Sequence, residues 1–148
     1  MTRLIFAICA VLLPATAIAA DEVSGTNYLL GKSQSWPTGE KTGYWVSSAR
    51  GVRVSDDPET KPEPTECHGS GYWDAEGTWS EGICRYGDAK DFVLSSYKIE
   101  KGAEEGVWVI LNAGGTHAGI TGSGTYKSTA GLRGAVVSVW EGEVTIPN

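Results

Sequence analysis

The chain has 148 residues, 20 of them glycine and 6 tryptophan, and a formal charge of −6. That length supports one domain with a real core and excludes two comfortable ones. The acidic balance argues against nucleic acid or an anionic membrane as partner, because both attract basic surfaces.

Residues 1–20 read as a secretory signal. Arg3 gives a positive start, Leu4 to Leu13 is nearly all apolar, and Ala17-Ile18-Ala19 supplies a small-x-small cleavage pattern. The apolar run is too short for a membrane span, and no later stretch could form one as a helix. Residues 21–148 are therefore expected to be a single soluble domain, periplasmic or secreted. Losing Arg3 takes the charge from −6 to −7. Cys9 leaves with the signal, so Cys67 and Cys84 remain as an even pair in an oxidising compartment, where a disulfide is expected. A metal site built from them with His68 and His117 lacks the paired ligand spacing such sites use. Neither a metal nor a cofactor is expected.

No window repeats apolar residues at three and four, so no helix is predicted. Short β-rich runs instead alternate with turns roughly every eight to fifteen residues. Asn27 to Lys32 is a weak first strand. Gly43 to Ser55 is stronger, with Tyr44, Val46, Ser48, Arg50, Val52 and Val54 on one face. Asp56 to Thr65, rich in proline and acid, is predicted to be an exposed loop. Glu66 to Trp73 and Thr78 to Tyr86 flank the turn Asp74-Ala75-Glu76-Gly77. Asp91 to Lys101 follows. Val107 to Leu111 is apolar throughout and is expected to be buried on both sides or to lie at the sheet centre. Ile120 to Thr129 and Gly134 to Ile146 complete about seven or eight strands. In the last, Val136, Ser138, Trp140, Val144 and Ile146 share a face. Short connections make sequential strands pair antiparallel, and closing the meander removes its edges. The predicted fold is an all-β, calycin-like small β-barrel with one disulfide.

The turn Asp74 to Gly77 also fixes a register. With those residues as the loop, Trp73 faces Thr78, Tyr72 faces Trp79, His68 faces Ile83 and Cys67 faces Cys84. Directly opposed strand residues lie about 4.5–5.5 Å apart at Cα, which suits a disulfide.

Chemistry-bearing patterns are few. No serine sits in a nucleophile elbow, and the glycines of Asn112 to Gly124 lack the lysine and following helix of a phosphate cradle. They read as turn and close-approach positions in a curved sheet. His117, on a glycine-rich loop, is a candidate acid or base, with simple exposure as the alternative, and a buried acid could take the same role. Glu141 and Glu143 alternate with the apolar face and are expected to meet solvent. Arg50 shares a face with Val46, Val52 and Val54; if that face is internal, Arg50 is a charge inside the barrel that needs a partner or ligand. Trp45, Trp108 and Trp140 are candidates to contact a ligand, with core filler as the alternative for all six tryptophans.

The stretch Gly114-Gly115-Thr116-His117-Ala118-Gly119-Ile120-Thr121-Gly122-Ser123-Gly124-Thr125-Tyr126, preceded by the apolar run Val107 to Leu111, resembles the glycine-rich hairpin of allene oxide cyclase and dirigent-type β-barrels and of exported bacterial proteins sharing that barrel. The match covers about a quarter of the exported part. It departs where His117 stands, since a glycine and an aromatic are expected there and the middle is about two residues shorter. The resemblance implies an eight-stranded antiparallel barrel with an apolar interior. Plant members steer reactive lipid or phenolic intermediates, but the match does not reach the strands that carry their catalytic residues.

Three functions follow as expectations: a barrel that binds a small apolar or aromatic ligand, a cyclase- or isomerase-like enzyme in the same cavity, or a protein-binding or inhibitor module acting through the acidic loop Asp56 to Glu66. No residue pattern fixes an oligomeric state.

Overall fold

A computed structural model describes residues 20–147. The leader reading, apart from Ala20, lies outside the described residues. Eight strands follow one another: β1 Asp21–Pro37, β2 Gly43–Ser55, β3 Glu63–Asp74, β4 Gly77–Gly87, β5 Phe92–Ile99, β6 Gly106–Gly114, β7 Thr121–Ala130 and β8 Ala135–Thr145. Each pairs with the next, all antiparallel, and β8 pairs with β1, so the meander closes into a barrel. Among the described residues, helix is confined to two single 3-10 turns, at Gly115–His117 and Leu132–Gly134.

Closure depends on the length of β1. Its first part, from Asp21 to Leu30, pairs with β8, while Gly25 to Pro37 pairs with β2. One strand thus bridges two staggered neighbours, which is the shear a barrel needs. This is why β1 runs well beyond the Asn27 to Lys32 segment expected from composition. β3 also starts earlier than expected, at Glu63 rather than Glu66, and takes in Pro64. The β3–β4 ladder begins only at Thr65 opposite Tyr86, so Pro64 pairs solely with Val52 of β2.

The β3–β4 hairpin has the register derived from its turn. Trp73 faces Thr78, Tyr72 faces Trp79, His68 faces Ile83 and Cys67 faces Cys84. The two cysteines are bonded. Asp74 also pairs with Gly77, so the loop proper is Ala75-Glu76, and Gly77 leaves it at φ +143, a value that favours glycine.

Two expectations are corrected. Val107 and Leu111 are 52% and 55% exposed, as is much of Val109, so β6 is not buried on both sides. Among the described residues no second layer covers the barrel wall from outside, and continuous apolarity here means an apolar outer face. The second correction concerns β2. Its lumen-facing residues are Trp45, Ser47, Ala49, Arg53 and Ser55, while Tyr44, Val46 and Val52 are exposed. Alternation separates the two faces of a strand; it does not say which one is inside when both mix apolar and polar residues.

The buried residues belong to the inner wall. Cys67, Cys84, Val93, Trp140 and Val144 are its apolar part, and Asn27, Ser80, Ser95 and Ser138 are polar members. Many inward side chains are small, and that leaves the interior open.

Candidate functional site

The barrel encloses a cavity of about 900 Å3. Six aromatic residues line it, one each from β2 and from β4 to β8: Trp45, Tyr86, Tyr97, Trp108, Tyr126 and Trp140. They do not plug it, because glycines on neighbouring strands let the rings lie against the wall. A Cβ at Gly71 would come within 2.5 Å of the Trp45 ring, one at Gly25 within 2.6 Å of Trp140, and one at Gly142 within 2.6 Å of Trp108. Gly69 and Gly82 receive Tyr97, and Gly106 receives Tyr126, in the same way. Much of the glycine content is thereby explained by close packing rather than by turns.

The rings also contact one another. Trp108 and Trp140 meet edge to face at 6.3 Å, as do Tyr97 and Tyr126 at 6.0 Å. The Trp108 Nε1–H is shared between the carbonyls of Thr125 and Glu141, both at 3.1 Å. Burial pushes the Tyr126 hydroxyl up to about 12, with the nearby Tyr97 and Tyr86 adding to the effect. Burial raises Tyr97 as well, with Tyr86 as the lesser cause. Both phenols therefore stay neutral donors at any physiological pH.

A polar track crosses this apolar lining. Strand register places Ser128 opposite Ser138, Ser138 opposite Asn27, Asn27 opposite Arg53, and Arg53 opposite Glu63. The track climbs obliquely, from the end of the barrel where β7 finishes to the mouth where β3 begins. Ser128 and Ser138 share a hydrogen bond between their hydroxyls. At the mouth, Arg53 Nε lies 3.0 Å from Glu63 Oε2. The guanidinium sits over the Tyr86 ring at 4.6 Å and the Trp140 ring at 4.9 Å. His117 Nε2 is 3.5 Å from Glu63 Oε1 and 3.8 Å from Asp91 Oδ1. The 3-10 turn that carries His117 is pinned: the Thr116 backbone N–H and hydroxyl both donate to Asp91 Oδ1, at 2.9 and 2.8 Å. Gly115 adopts φ +67 beside it.

Three buried polar atoms in this lining lack a hydrogen-bond partner: Asn27 Oδ1, Glu63 Oε2 and Trp140 Nε1. Glu63 Oε2 is within ion-pair range of Arg53 but off the hydrogen-bond line. Asn27 and Trp140 are each 7% exposed.

The structure gathers Trp45, Trp108 and Trp140 in one lumen and puts His117 at its mouth. It does not bring Arg50 there. Arg50 points outward with its side chain 79% exposed and is paired with Glu66 at 2.7 Å. The lumen arginine is Arg53, which sequence reasoning missed. A signal existed, since Arg53 shares its strand parity with Trp45, whereas Arg50 does not. Glu141 and Glu143 are exposed, on the outer face of β8. Among the described residues, no group of three or more His, Cys, Asp or Glu side chains is placed to hold an ion. Among them too, no helix is long and apolar enough to cross a membrane.

Comparison with known proteins returns no matching family model, curated relative or solved structure.

Proposed function

We propose that this protein is an exported carrier or receptor that holds a small apolar or aromatic molecule inside its barrel. One observation carries the reading: a lumen of about 900 Å3 in which five of the six lining aromatic rings are laid against wall glycines, leaving the space between them free. That volume lies within the range of ligand pockets, which are typically about 300–1,000 Å3, mostly apolar and set with a few polar groups. The Cys67–Cys84 disulfide supports an oxidising compartment. The resemblance of the Gly114 to Tyr126 hairpin to allene oxide cyclase and dirigent-type barrels supports the same architecture and leaves the activity open.

The test is titration with N-phenyl-1-naphthylamine, a neutral dye that fluoresces in apolar surroundings. The expected result is saturable binding at one site per chain, lost in Ala49→Trp, which fills the lumen from β2. Binding undiminished in that variant, with its fold intact by circular dichroism, contradicts the reading.

A second reading, a cyclase- or isomerase-like enzyme, is favoured by the His117–Glu63 contact. A histidine 3.5 Å from a carboxylate at the mouth of an apolar cavity is suitably placed to move a proton to or from a bound molecule. His117→Ala would then abolish turnover of a bound substrate while leaving dye affinity unchanged.

A further inference from the structure

We infer that the ligand enters the lumen through the barrel wall, by a portal between β6 and β7, and not through the charged mouth. The inference rests on the ligand-binding reading and adds the route of entry to it.

The first support is the hydrogen-bonded ladder. β6 and β7 pair only from Gly106 to Val109, opposite Tyr126 to Ser123, the shortest ladder among the described strands. Both strands run on toward the mouth. β6 stays paired with β5 as far as Gly114, and β7 with β8 from Thr121. Ile110 to Gly114 and Thr121 to Gly122 therefore have no ladder partner across their own seam. The cause lies in β6. Ser95 pairs with Ile110 and Leu94 with Asn112, so Leu111 is a bulge, and a bulge bends its strand. It comes just after Val109, where the ladder with β7 stops.

The loop that joins the two strands above this split is self-contained. The Ala118 N–H donates to the Gly115 carbonyl and the Ile120 N–H to that of His117. Gly115 and Gly119 hold φ +67 and +83 near its ends, values that favour glycine. Thr116 tethers it to the Asp91 carboxylate. Widening the seam above Val109 thus breaks no β6–β7 ladder bond. Parting β5 from β6, or β7 from β8, at the same level would strand paired backbone groups.

The second support is the chemistry of the two routes. Ile110 and Ile120 border the split on the lumen side. Val109 and Leu111, 45% and 55% exposed, border it outside. The mouth is ringed by Asp21, Glu22, Arg53, Asp57, Glu63 and His117. An apolar molecule crossing that rim displaces water from charged groups and returns no hydrogen bond. At the seam it meets apolar side chains from outside to inside.

The experiment staples the seam. Leu111→Cys/Thr121→Cys, in a Cys9→Ser background, puts one thiol on each strand at an exposed position. Cys67 and Cys84 are bonded to each other, so only the two new thiols react. One sample is bridged with bismaleimidoethane and another capped with N-ethylmaleimide. Stopped-flow fluorescence then follows loading with N-phenyl-1-naphthylamine. The bridged protein should load roughly tenfold more slowly than the capped one, with release slowed alike and affinity little changed. Equal loading rates would overturn the portal and leave the ligand-binding reading standing. A bridge that weakens affinity through faster release alone would overturn the portal too. No saturable binding by either sample or by the unmodified chain would overturn both readings.

Discussion

Arg53 and Glu63 face each other across β2 and β3 at the mouth of the barrel, with Nε and Oε2 3.0 Å apart. The pair closes the polar track, and the guanidinium ties the mouth to the Tyr86 and Trp140 rings. Both side chains are largely removed from water, and Glu63 is only 17% exposed. Removing one partner strands a charge. Arg53→Met is expected to destabilise the fold by about 2–4 kcal/mol, while the double variant Arg53→Met/Glu63→Gln should recover much of the loss. Urea unfolding of the two singles and the double gives the coupling. Single losses that simply add in the double would show that the pair contributes nothing as a pair.

The Cys67–Cys84 bond closes a loop between cysteines 17 apart in sequence. In the chain-entropy model a bridge of that span is worth about 3 kcal/mol. The double variant Cys67→Ala/Cys84→Ala should unfold at correspondingly lower denaturant. Dye affinity, measured where both proteins are folded, should change little, because β3 and β4 stay registered by their turn.

Glycines that receive aromatic rings should not tolerate side chains. At Gly25 an added Cβ would sit 2.6 Å from the Trp140 ring and strike the Val54 carbonyl. Gly25→Ala is predicted to destabilise by about 1–3 kcal/mol through overpacking. It should also turn the Trp140 ring into the lumen and weaken dye binding. Gly102→Ala, where an added Cβ meets nothing within 4 Å but φ is +74, should leave dye affinity unchanged. Thermal unfolding and dye titration of the two variants separate lumen packing from turn strain.

The Tyr126 phenol predicts an alkaline limit. Its folded value lies near 12 against an ordinary 10.0. Between those two the unfolded chain loses the proton and the folded chain keeps it, so stability falls as pH rises from 10 toward 12 and is unaffected by this group below 10. Tyrosinate absorbance should reveal at least one phenol titrating well after the exposed ones. Tyr126→Phe should flatten the alkaline loss, with Tyr97 accounting for what remains.

The architecture was legible because short β-rich runs alternate with turns along the whole chain and one hairpin carries its own register signal. The turn Asp74 to Gly77 alone aligned Cys67 with Cys84, and alternation in Val136 to Ile146 assigned the inner face of β8. The site was legible only in part. The tryptophan content points to Trp45, Trp108 and Trp140, yet the alternation of β2 points to Arg50 where Arg53 stands, because the outward face of β2 is as apolar as the inward one. The apolar outer residues of β6 misled in the same way. The polar track was out of reach of sequence reading, since it joins five residues on five strands and exists only once the shear of the closed barrel is known. The glycine seats beneath the rings need the same cross-strand information.

Intermolecular nuclear Overhauser effects from bound indole report directly where a small aromatic molecule sits. Contacts to the methyl groups of Ala49, Val93 and Ile110, all inside the barrel, are the predicted result. Contacts confined to Val107, Val109 and Val139 on the outer face would contradict it.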